Sequence, residues 1–271
     1  MTNPIEFASP EDDNNNTPSP WLQPRSNNQY EDLVLKPEYA ERRLRFDVGQ
    51  TWFRIVPALK SSLHGWMMPL HVLQFERGRF VHPRSLKRNA KCVYDHAYAW
   101  AKENTPAALY SKINKNGVRL LADPLCLFWV LVEQEGKTVA RLLQLSGYDG
   151  SRGGAPGLGH KIWQLCHDRD ETGARTDVIS ADGGVLVGVE KHQPKGAKYP
   201  SYHLTLGRNA KPMTELVKRM EPTEQSVLCP LENVVRELTD EEQWQCLGKL
   251  IAPDTVKQIQ KSLGHVNSSQ S

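Results

Sequence analysis

The sequence predicts a mainly β chain with helical insertions, α+β in class, built as a small antiparallel barrel followed by a helical C-terminal extension. Three observations predict it. Short β-rich runs recur between turn signals from residue 43 to residue 206, two of them (126–134 and 137–145) are almost continuously apolar, and the last quarter changes to helical spacing.

Each element follows from local chemistry. Leu44 and Phe46 alternate with charged residues, Gly49 supplies a turn, and residues 51–56 are rich in β-formers, so 43–57 predicts a hairpin leading into a strand that Pro57 ends. Residues 70–75 and 78–81 predict a second strand pair. Val93, Ala97 and Trp100 recur at helical spacing ahead of Pro106, which predicts a helix over 91–103. The apolar runs 126–134 and 137–145, joined at Glu135 and Gly136, predict a central buried hairpin. A glycine-rich loop over 147–159 leads to a short helix over 160–167. Residues 184–191 and 201–206 predict another strand pair, joined by the basic loop 192–200. Candidate helices follow at 214–220, 230–238, 239–251 and 253–263, and Thr239 with Glu242 forms a capping box.

Several short strands with helices inserted and appended fit an OB-fold, a barrel whose strand face and loops bind oligonucleotides. The expected organisation is a disordered N-terminal segment (1–31), an OB-fold-like domain (32–211) with a His/Cys insertion at about 60–120, a helical extension (212–264) and a disordered tail (265–271). The proline-rich, asparagine-rich N-terminal segment has too little apolar surface to offset its ordering entropy.

Between Lys36 and Arg119 the chain sets 16 Lys and Arg against 6 Asp and Glu, and threads aromatic rings through the same stretch. Cations neutralise phosphates and release condensed counterions, while flat rings stack on bases of any sequence, so this mixture suits single-stranded nucleic acid. The formal charge of the whole chain is only +3, because Glu215 to Lys249 carries an acidic excess. That excess suggests a chain able to regulate its own grip on a polyanion. No apolar run approaches the ~20 residues of a membrane span, and the N-terminus lacks the pattern of a signal sequence, so the expected location is the cytoplasm. Five cysteines at wide, irregular spacing argue against a disulfide framework.

Residues 51–57, TWFRIVP, follow a glycine turn, and residues 179–207 run ISADGGVLVGVEKHQPKGAKYPSYHLTLG, with an insertion bearing His and Cys and a central strand pair between them. This order resembles the tailed-phage replication single-stranded-DNA-binding proteins, over roughly residues 44–207. In that family an arginine-isoleucine-leucine-proline strand opens the fold, and a glycine-led strand, a basic loop and an aromatic-containing strand close it. The resemblance implies an OB-fold that coats single-stranded DNA in replication or recombination of a phage or other mobile element, in the host cytoplasm. Its implied partners are the DNA and replication proteins such as a polymerase, primase or helicase.

For DNA contact the candidates are Trp52, Phe53 and Arg54 on the first strand, Trp129, and Lys191, Lys195, Lys198, Tyr199 and Tyr202 at the last strand pair. Strand alternation forbids Trp52 and Phe53 from facing the same side, so one of them belongs to the core. Lys87, Arg88 and Lys91 complete a basic arm able to track a backbone. His71, His82, Cys92 and His96 fall where the family carries a zinc insertion. Zinc accepts imidazole nitrogen and thiolate, and the spacing of Cys92 and His96 places both on one helix face.

Catalytic signals are weaker. GAPGLGHK (154–161) lacks a lysine directly after its last glycine and the Ser or Thr that would hold magnesium, so it is not a nucleotide loop. Asp168, Asp170, Glu171 and Asp177 lack spacing that makes carboxylates converge on a nuclease metal. A non-enzymatic single-strand binder is the leading expectation, with an interaction scaffold bearing a basic face and a metal-dependent nuclease as alternatives.

Overall fold

The computed structural model describes residues 5–7, 30–60, 62–104, 120, 122–151, 155–167, 176–195, 197 and 200–268 of the chain. Residues 8–29 of the N-terminal segment, with 1–4, and the tail from 269 lie outside them. The protein is mixed α+β with mostly antiparallel strands, and it divides into two compact units. Unit one takes Met1–Gln23, Pro37–Pro69 and Pro124–Val234; unit two takes Pro24–Lys36, Leu70–Asp123 and Val235–Ser271. The strands are β1 (Ile5–Phe7), β2 (Glu31–Leu33), β3 (Gly49–Ile55), β4 (Met68–Phe75), β5 (Gly78–Val81), β6 (Asp123–Gln134), β7 (Lys137–Ser146), β8 (Val185–His192) and β9 (Ser201–Ala210). The helices are α1 (Pro37–Ala40), α2 (Val93–Asn104), α3 (Leu158–His167), α4 (Met213–Lys218), α5 (Pro222–Gln225), α6 (Asp240–Gly248) and α7 (Pro253–Ser268).

In unit one the strands pair antiparallel in the order β1, β9, β8, β3, β6, β7. The expected barrel is not what the described residues form: β1 and β7 end this series and no pairing joins them, so the sheet is open. The β6–β7 hairpin turns on Glu135 and Gly136, both at positive φ (52° and 76°), the conformation a two-residue hairpin turn demands. Beyond β7, Leu142 exchanges backbone hydrogen bonds with Arg42 and Leu44, and the Glu224 carboxylate accepts the Ala140 N–H. These contacts cover an edge that would otherwise present unpaired groups. They also bear on why residues 43–48 form no hairpin: the start of that stretch, Arg43 and Leu44, is drawn to β7. The core gathers Phe53, Ile55, Phe128, Val130, Leu143, Val187, Val189 and Leu204 under the buried face of α3.

Unit two is built on β4 and β5, with β2 parallel to β5, and on α2, α6 and α7. Leu73, Phe75, Phe80, Tyr94, Ala97, Leu247, Leu250 and Ile259 form one buried cluster. The capping box at Thr239 is present in full, with both of its hydrogen bonds made. The helix expected over 230–238 is reduced to one 3-10 turn, Leu231–Asn233. Beyond it Val235 bridges Leu35, and the Arg236 N–H donates to the Val34 carbonyl. Extended pairing with a distant segment outweighs the local helical preference.

Arg54 lies on β3 and is fully buried, with no carboxylate among its hydrogen-bond partners. Its Nη1 donates to the carbonyls of Ile55 at 2.8 Å and Val178 at 2.7 Å, its Nε to Lys211 at 3.1 Å, and its Nη2 to Ser180. Burial lowers its pKa, with Asp177 acting the other way. A Cβ on Gly184 would overlap the guanidinium, so glycine is required there. Replacing Arg54 by Met should destabilise the protein by about 3 kcal/mol or more, because each buried carbonyl left unsatisfied costs roughly 1 to 3 kcal/mol. Urea unfolding of the two proteins measures the difference, and a shift under about 1 kcal/mol would show that water replaces the guanidinium.

Candidate nucleic-acid interface

β3 carries its side chains alternately to the core and away from it. Phe53 is completely buried, whereas Trp52 is 38 % exposed. In the sheet register Trp52 lies opposite Gly188 and Gln50 opposite Glu190, and on the next strand these two face Thr205 and His203. The outer surface of β3, β8 and β9 is therefore polar, with one indole laid over a glycine. A Cβ at Gly188 would come within 2.9 Å of the Trp52 ring, so the missing side chain is what lets the indole lie on the sheet. Gln50 Nε2 donates to Thr205 Oγ1 at 3.5 Å across the same surface.

The remaining expected contacts divide. Phe53, Arg54 and Trp129 are interior and are corrected as contact residues: Trp129 is 1 % exposed, packs edge-on to Tyr39 and donates from Nε1 to the Cys229 carbonyl at 2.9 Å. A tryptophan in a β-rich run gives no sign of which face it takes. Lys191 Nζ donates to the Phe46 carbonyl at 2.9 Å, so its charge serves the fold. Tyr202 is half-buried with its ring 6.2 Å from Phe46, and burial raises its phenol pKa. Lys195 is exposed in the connection between β8 and β9; Lys198 and Tyr199 lie outside the described residues. Lys195 stands seven residues beyond Gly188, and the four from Gly188 to His192 along β8 span about 13 Å. Lys87, Arg88 and Lys91 are exposed in unit two, where Lys87 pairs with Glu237 at 2.9 Å. Gly188, Thr205 and His203 were not legible as parts of this surface, since only the strand register brings them beside Trp52. The carboxylates weighed for a nuclease at 168, 170 and 171 lie outside the described residues.

The metal-binding set that the resemblance implies is assembled differently. His82, Cys92 and Asp95 bring one ligand atom each to within 4.8 Å of one another, while His71 on β4 and His96 on α2 are exposed and outside the group. Cys92 precedes α2 and Asp95 lies in its first turn, three residues on, a spacing that puts them on one side of the helix start. That spacing was the available signal for Asp95.

His82 Nε2 faces Asp95 Oδ1 at 3.1 Å, and in the neutral ring Nδ1 accepts the Arg84 N–H at 3.2 Å. Burial opposes a charge on His82, but hydrogen bonds to Asp95 and Cys92 outweigh it and hold the pKa up, at about 9. Charging the ring gives up the bond to Arg84. The His82 hydrogen bond, with Arg84 alongside, holds Asp95 below the usual carboxylate range. Imidazole, thiolate and carboxylate are all zinc donors, and three of them leave a fourth position open. The Arg84 guanidinium, 3.0 Å from Asp95, is the cation a metal would have to displace from that carboxylate.

Comparison with protein-family models, with curated proteins and with solved structures matched nothing. Among the described residues no helix is long and apolar enough to cross a membrane.

Two measurements probe this cluster. Cobalt(II) added to the full chain should give a sulfur-to-metal charge-transfer band that Cys92→Ser abolishes and that His71→Ala and His96→Ala leave in place; a spectrum indifferent to Cys92 would remove the three-donor set. Because the folded pKa of Asp95 is depressed, its contribution to stability is present above the ordinary value near 4 and is lost as pH falls through the lower folded value. Asp95→Asn should therefore flatten the acid limb of stability against pH, read as urea midpoints between about pH 2 and 5.

Proposed function

We propose that this protein is a non-enzymatic single-stranded-DNA-binding protein that coats the strand without reading its sequence. The observation that carries the reading is the Trp52 indole, set against Gly188 and 38 % exposed on a polar stretch of strand face. An exposed indole on a rigid strand loses little entropy when it stacks on a base, and its π face accepts any of the four. Gln50, His203 and Thr205 surround it with hydrogen-bonding groups, and Lys195 lies beyond the end of β8 to meet phosphate. The basic, aromatic-rich sequence and a sequence pattern that resembles the phage replication proteins support the same reading. The finer architecture that belongs to it is an OB-fold-like arrangement of the unit-one strands. The setting is replication or recombination of a phage or mobile element in the cytoplasm, alongside a polymerase, primase or helicase.

Titration with oligo-dT, duplex DNA and heparin, followed by tryptophan fluorescence, tests it. Oligo-dT should quench emission and bind far more tightly than duplex, with log K falling by about 0.7 per phosphate neutralised as log salt rises. Trp52→Ala should keep the fold and weaken binding by roughly 1 to 3 kcal/mol. Equal affinity for duplex and single strand, or for heparin and oligo-dT, would reject the proposal in favour of a general polyanion surface.

A further inference from the structure

α3 is amphipathic in an unusual way. Gly159, Ile162 and Cys166 form its buried side, and helical spacing places His160, Trp163 and His167 together on the other. Trp163 is 39 % exposed. Its ring is stacked between two imidazoles, with centroids 5.7 Å from His160 at an interplanar angle of 28° and 4.5 Å from His167 at 27°. His167 Nδ1 donates to the Trp163 carbonyl at 2.7 Å, which fixes the imidazole plane and leaves Nε2 as the atom turned to other partners.

The helix that carries this column is firmly seated. A Cβ on Gly159 would lie 2.8 Å from the Ser146 carbonyl and 2.9 Å from Cys126 Cβ, so the helix start rests directly on β6 and β7. Lys161, on the same helix, is partly buried, and burial lowers its pKa to about 8. The large exposed apolar residues among those described are Val48, Trp52, Leu63 and Trp163, so α3 offers no apolar patch that an amphipathic protein segment would cover. What it offers is a preformed column of π faces with hydrogen-bonding edges. That matches a nucleobase.

We propose that His160, Trp163 and His167 form a second stacking site for single-stranded DNA, contributed by α3 and separate from Trp52; it rests on the single-strand reading above. A base extends the column on the outer face of an imidazole, and the imidazole edge turns toward the adjoining phosphate.

The test uses the full chain labelled with 5-fluorotryptophan, with Trp52→Phe and Trp163→Phe assigning their two fluorine resonances, and oligo-dT as probe. The expected result is a DNA-dependent shift of the Trp163 resonance in the otherwise unchanged protein, together with a roughly 5- to 150-fold loss of affinity in Trp163→Ala. The fluorine shift is read without altering α3, so it stands even where the alanine variant folds poorly. If oligo-dT shifts Trp52 but leaves Trp163 and the affinity of Trp163→Ala unchanged, the second site is overturned and the single-strand reading survives. If oligo-dT does not bind and neither resonance moves, both are overturned.

Discussion

The buried guanidinium of Arg54 is the constraint on which the candidate surface depends. A charge taken out of water needs full hydrogen bonding, and Arg54 finds it in carbonyls from three parts of the chain: its own strand, the segment 178–180 before β8, and Lys211 just after β9. Each bond fastens one of these segments to β3. The lead-in to β8 is tightened further where Asp177 accepts the Ser180 N–H and hydroxyl, and where the Val185 N–H donates to the Asp177 carbonyl. With both ends of the β8–β9 pair held, the register that sets Gly188 opposite Trp52 has little freedom to slip. A one-residue slip would send the whole alternating set to the wrong face.

How much of this was legible depended on how local the cause was. The capping box at Thr239 and the turn at Glu135 and Gly136 are decided within a few residues, and both stood in the sequence as they stand in the fold. Alternation showed that Trp52 and Phe53 face opposite ways, yet only the pairing with β8 decides which one is core. Arg54 reads as a surface charge because nothing nearby announces the carbonyls that converge on it. The stretch 230–238 has helical spacing but is drawn into a bridge with Leu35, 200 residues away in sequence. The same distance effect hid the donor set around His82: His96, at helical spacing from Cys92, was the obvious choice, and Asp95, one residue earlier, is the one that turns toward His82.

The two units solve the packing problem differently. In unit one, strands supply most of the core and α3 closes it with Ile162 and Cys166, so His160, Trp163 and His167 are not part of that core. In unit two, the core is shared between β4, β5 and three helices, and Tyr94, Leu247 and Ile259 each have at most 1 % of their surface exposed. α6 and α7 therefore complete a core in their own unit, and their apolar residues are committed to it. That commitment limits what the acidic stretch around them is able to do.

A competitor for DNA must present free carboxylates, and many of those between Glu221 and Glu242 already have partners. Glu221 pairs with Lys137 at 2.7 Å; Glu224 holds Arg42 at 2.9 Å and caps the β7 edge; Glu232 accepts the Leu63 N–H at 3.0 Å; Glu237 pairs with Lys87 at 2.9 Å. Glu242 closes the capping box and binds Arg236 at 2.7 Å, while Asp240 and Glu241 lie in the first turn of α6, where negative charge favours the helix. The exposed pairs contribute little stability individually. Collectively they cancel much of the negative excess where it arises, so the field it projects is far weaker than the sequence count of acids implies. The acidic stretch is better explained as structure than as a rival ligand: its charges cap, pair and cover edges within the unit to which each belongs.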